Sequence, residues 1–97
     1  MERDEVIRIL DSHRREFIDQ YGVKSLSLFG SVAREEATDS SDVDLLVDFN
    51  RPIGLFGLFA LQDRIEELLG CPVDLGTPAS LKPRIRSSVM SECVDVV

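Results

Sequence analysis

A glycine-serine pair followed at short range by two aspartates constrains this chain more than any other feature. Phe29-Gly30-Ser31 closes an apolar stretch, ten residues intervene, and Asp42-Val43-Asp44 then leads into Leu45-Leu46-Val47. The pattern predicts a strand, a Gly-Ser turn opening a helix, and a second strand headed by two carboxylates. Residues two apart on a strand share a face, about 6–7 Å apart at roughly 3.3 Å rise per residue. Asp42 and Asp44 then point into one space while Val43, Leu45 and Val47 pack on the other side. Neighbouring carboxylates repel, and folding alone gives no reason to set them together. A divalent cation removes that penalty, and hard Mg²⁺ is usually held by one or two carboxylates plus substrate phosphates. These residues point to a metal–nucleotide site. The competing explanation is a solvated strand end, with Asp42 finishing a turn. A calcium loop does not fit, because oxygen ligands do not recur at positions one, three and five and no glycine occupies position six.

With 97 residues the chain is long enough for one small domain. Its 43% hydrophobic and 30% charged residues match an ordinary globule rather than a disordered chain. A net charge of −7 argues against broad attraction to nucleic-acid phosphates, so no direct nucleic-acid partner is expected. Lys82, Arg84 and Arg86 make 78–90 the one locally positive stretch. Cys71 and Cys93 lack any metal-binding spacing and are expected as free thiols of a reducing compartment. The charged start, Met1-Glu2-Arg3-Asp4-Glu5, has no apolar signal region, and no apolar run nears the roughly 20 residues that cross a bilayer. A cytoplasmic location with no membrane partner is expected.

Apolar periodicity predicts a first helix over 3–20, with Val6, Leu10, His13 and Phe17 on one stripe and Gly22 as its stop. His13, the only histidine, is expected to be a half-buried packing residue. Strand 25–29, a short helix 31–37 and a polar turn 38–41 follow. The strand 42–49 has a continuous Leu45-Leu46-Val47 core that suggests cover on both faces. A second amphipathic helix is predicted over 55–69, with Leu58, Leu61, Ile65, Leu68 and Leu69 inward and Gly70 and Pro72 ending it. Strand 73–75, a loop 77–80, a helix 81–92 and a last strand 94–96 complete one α/β domain spanning 1–97. Most of the Leu55, Phe56, Leu58 and Phe59 cluster is expected in the core, the remainder being a surface for a partner or a second copy of the chain.

Gly30 lets a phosphate approach the backbone, Ser31 offers a hydroxyl, and the N–H groups opening the next helix favour an anion. Arg34, three residues on, reaches toward the same anion. Alone, Gly-Ser is a common turn. Ahead of Asp-x-Asp at the head of an apolar strand it is much more specific. Asp74, between Val73 and Leu75, is a candidate third acid, either completing a two-metal site or accepting a proton from an attacking hydroxyl.

The stretch LFGSVAREEATDSSDVDLLVDF, with VDLGTP downstream, resembles the polymerase-β-like nucleotidyltransferases. More narrowly it is similar to the minimal nucleotidyltransferases, the MNT or MntA-type proteins, over nearly the whole chain. Glu35 and Gly76 depart from the family's pattern, at a turn glycine and an apolar strand position, without touching an acid. The resemblance implies a small mixed β-sheet with flanking helices, Mg²⁺, and transfer of a nucleoside monophosphate from a triphosphate to an acceptor. Carried onto this chain, Gly30 and Ser31 hold the triphosphate, Asp42 and Asp44 bind metal, Asp74 is the third ligand or the base, and Arg34 contacts phosphate. It also implies an antitoxin that moves AMP from ATP to a tyrosine hydroxyl of a HEPN ribonuclease toxin. Two alternatives stay open: an antitoxin acting by binding alone, and transfer to a small molecule or an RNA end. A neighbouring gene for a small helical protein with an Arg-x4-His motif would favour the toxin–antitoxin assignment.

Overall fold

A computed structural model describes residues 2–30, 42–78 and 93–97. Helix α1 spans Arg3–Ser12 and α2 spans Arg14–Tyr21, where sequence periodicity predicts one continuous helix. The break has a local cause. Ser12 Oγ donates to the Ile9 carbonyl at 2.6 Å, the acceptor a continuous helix would offer to the His13 N–H. The His13 N–H turns instead to the Leu10 carbonyl at 3.1 Å, a tighter turn that ends α1. The apolar stripe survives the break, with Val6, Leu10 and Phe17 all fully buried. His13 is half-buried as expected, tilted against the Phe17 ring, with its Nδ1 3.5 Å from Glu16 Oε1.

Strand β1 runs Val23–Phe29 and β2 runs Val43–Phe49. Helix α3 covers Leu55–Leu69, the bounds its periodicity predicts. Strands β3, Val73–Gly76, and β4, Val94–Asp95, follow. The predicted helices 31–37 and 81–92, the turn 38–41 and the basic residues Lys82, Arg84 and Arg86 lie outside the described residues.

The four strands form one mixed sheet in the order β3-β2-β1-β4. β1 is antiparallel to both β2 and β4, and β2 is parallel to β3, with α3 as the crossover that parallel neighbours need. Leu26 and Leu28 of β1, Val43, Leu45 and Val47 of β2, and Val73 and Leu75 of β3 bury one face against the helices. Leu46, on the opposite face, is also buried, so β2 is covered on both sides there.

Side chains join the helices across this core. The Arg64 guanidinium of α3 grips Glu16 of α2 with two bonds, Nε to Oε2 at 2.7 Å and Nη2 to Oε1 at 3.1 Å, while its Nη1 reaches Glu67. That bidentate bond holds the Glu16 carboxyl below its ordinary value despite partial burial. The apolar cluster at the start of α3 departs from expectation. Leu58 is half-buried, but Leu55, Phe56 and Phe59 are exposed, Phe56 at 91%. Leu61, Ile65 and Leu69 already fill the inward stripe, and a helix with a 100° step turns 55, 56 and 59 away from it. Among the described residues, no helix is long and apolar enough to cross a membrane. No disulfide joins Cys71 and Cys93.

Candidate active site

Strand register gathers the acids at one end of the sheet. Phe29, the last residue of β1, stands opposite Asp44 of β2, and Asp44 lies beside Asp74 of β3. Because Val43, Leu45, Val73 and Leu75 are turned inward, alternation sends Asp44 and Asp74 to the face away from the helices. Asp44 is half-buried and Asp74 exposed. Asp42 is exposed immediately ahead of β2, where the Val43 N–H donates to the Pro72 carbonyl at 3.1 Å and fixes the approach of the two parallel strands.

Gly30 follows β1 with φ +76°, a backbone conformation that L side chains rarely adopt. A Cβ at this position would meet the Asp44 carboxylate and come within 3.1 Å of its Cβ. The expected reason for Gly30, room for a phosphate, is thus joined by a nearer one: the Asp44 side chain needs the space. Ser31 and Arg34 lie outside the described residues.

Among the described residues, no three His, Cys, Asp or Glu side chains converge to hold a metal ion. The donor set nevertheless suits Mg²⁺, which needs only one or two carboxylates and takes its remaining oxygens from phosphate and water. Asp44 packed against Gly30, with Asp74 beside it, is such a set. Asp42 contributes charge at the same end, where its field is felt at Cys71. Burial pushes that thiol up, and Asp42, Glu66 and Glu5 add to the shift.

Two side chains on α3 were not anticipated. Glu66 Oε2 accepts from the Val73 N–H at 2.9 Å, and Gln62 Nε2 donates to the Val73 carbonyl at 2.8 Å, one residue before Asp74. The available signal was a pair of polar residues four apart in the polar second half of the helix, which also fits a merely solvated face.

Comparison with known proteins gives this arrangement a family. The chain belongs to the nucleotidyltransferase domain family, whose model matches residues 10–96. It is 41% identical over 93 residues to protein adenylyltransferase MntA of Thermococcus cleftensis, covering 96% of this chain and 94% of that one. A solved structure of a proposed minimal nucleotidyltransferase superposes with a TM-score of 0.81 at 35% identity, over 97% of this chain and 95% of the other. With these relatives the chain is a nucleotidyltransferase of the minimal, MntA type. The fold is also shared with a structure of a tri-AMPylated Shewanella oneidensis HEPN toxin in complex with an MNT antitoxin. There the TM-score is 0.69 at 17% identity, over 98% of this chain and 71% of the other.

Proposed function

We propose that this chain is an Mg²⁺-dependent protein adenylyltransferase that acts as an antitoxin, moving AMP from ATP to a tyrosine hydroxyl of a HEPN ribonuclease partner. The observation that carries this is the packing of Asp44 on the Gly30 turn with Asp74 in register beside it. Identity to an MntA adenylyltransferase over nearly the whole chain supports the acceptor being a protein. The antitoxin role is supported by the shared fold with an MNT antitoxin bound to its AMPylated toxin.

The acceptor hydroxyl attacks the α-phosphorus of ATP in line, the bond to the β-phosphate oxygen breaks, and pyrophosphate leaves. Gly30 presents backbone with no side chain, while Ser31 and Arg34 supply a hydroxyl and a guanidinium to the phosphates. Asp42 and Asp44 hold the metal, which when bound neutralises charge on the transferring phosphoryl group. Asp74 takes the proton from the acceptor hydroxyl or serves as a further metal ligand. The partner brings its own hydroxyl on its own surface. Incubation with the protein of the neighbouring gene, Mg²⁺ and each nucleoside triphosphate, followed by intact mass, tests the proposal. A gain of one AMP on the partner from ATP supports it. An unmodified but neutralised partner would establish binding alone, and AMP found on RNA or a small molecule would move the acceptor elsewhere.

A further inference from the structure

Among the described residues Asp74 sits on an edge strand, paired on one side only, and it is itself exposed, so neither a second described strand nor packing of its own side chain fixes its direction. Asp44 differs, because β2 is bonded on both sides, to β1 and to β3. The Val43 N–H of β2 takes the carbonyl of Pro72, just ahead of β3, a ladder that turns the N–H and C=O of Val73 outward, away from β2. Both outward groups are occupied by α3. Glu66 Oε2 accepts from the N–H at 2.9 Å, and Gln62 Nε2 donates to the C=O at 2.8 Å. The two side chains are one helical turn apart on one face, so a single rigid element holds both polar groups of one residue.

We infer that Gln62 and Glu66 are positioning residues for nucleotidyl transfer, a side-chain clamp on Val73 that aims the Asp74 carboxylate. The C=O held by Gln62 belongs to the peptide plane that Val73 shares with Asp74. The N–H held by Glu66 fixes the plane before it. These two planes flank Val73, and the one held by Gln62 also borders Asp74. The pairing of Asp74 and Leu75 with β2 holds the plane on the far side of Asp74, so clamp and ladder together set the direction of its Cα–Cβ bond beside Asp44. The inference rests on the proposed part of Asp74 in transfer.

The test is steady-state AMP transfer to the partner by wild type, Asp74→Asn, Gln62→Met, Glu66→Met and Glu66→Gln, assayed below the lowest melting temperature of the set. Methionine matches the length of either side chain and keeps the apolar stem in place, while glutamine at 66 still offers an oxygen to the Val73 N–H. Gln62→Met and Glu66→Met should lose about 10- to 100-fold in kcat, the scale of a misplaced reacting group, with KM for the partner unchanged. Glu66→Gln should recover most of that loss. Wild-type kcat in both methionine variants would overturn the clamp, and so would a Glu66→Gln protein as slow as Glu66→Met, since charge rather than the hydrogen bond would then matter. A wild-type chain that transfers nothing overturns the functional proposal itself, and a fully active Asp74→Asn removes Asp74 from the reaction. The clamp falls with either, and each leaves a pattern distinct from its own failure.

Discussion

At Gly30 the chain turns through φ +76°, and the volume where a Cβ would sit is filled by the Asp44 carboxylate. Gly30→Ala therefore carries a backbone cost of about 1–2 kcal/mol and also displaces an acid. Urea denaturation should show that loss of stability, and nucleotidyl transfer should fall far more than the stability change explains. Asp44→Asn separates the two effects. It keeps the shape, removes like-charge repulsion and should leave the melting temperature near wild type while abolishing transfer. An active Asp44→Asn protein would remove this residue from the metal site. The acid positions were legible because strand alternation converts sequence spacing directly into a shared face. The contact between Gly30 and Asp44 was not, because it depends on the antiparallel register that sets Phe29 opposite Asp44. Ser31 and Arg34 keep their assignment from the motif alone.

Elements show a similar division. The bounds of α3 followed from apolar periodicity and from Gly70 and Pro72, all local signals. The division of α1 from α2 depended on one serine hydroxyl capturing one carbonyl, which leaves no periodic trace. The hold of Arg64 on Glu16 joins α2 to α3 over 48 positions of sequence, beyond the reach of any spacing rule. Its stabilising effect should depend on pH in a definite direction. Arg64 holds the Glu16 carboxyl below its ordinary value of 4.5, so the contribution is fully present above that value. It is lost as pH falls from there through the depressed folded value. Glu16→Gln should lower stability at pH 7 and flatten the loss of stability below about pH 4.5. Urea unfolding of both proteins at a series of pH values measures this. A steeper acid transition in Glu16→Gln would contradict it.

For the whole molecule, composition predicted how much apolar surface exists but not where it lies. The first turns of α3 are as apolar as its centre, yet the inward stripe is filled by Leu61, Ile65 and Leu69, leaving Leu55, Phe56 and Phe59 outside. Two substitutions on this one helix should therefore differ sharply. Leu61→Ala empties a fully buried site and should cost about 2–5 kcal/mol in urea unfolding. Phe56→Ser, at a site 91% exposed, should change stability by less than about 0.5 kcal/mol. A large loss from Phe56→Ser would mean that this ring is covered by another part of the chain in solution.

The bonds that Gln62 and Glu66 make to Val73 also bear on how the molecule associates. An edge strand ordinarily offers its outward N–H and C=O groups as a template for strand addition, the route by which sheets extend from one molecule into the next. On β3 the first such pair is already satisfied by α3, so an incoming strand would have to break two hydrogen bonds before making its own. The side chains that tether the edge thus also blunt it against sheet-to-sheet aggregation.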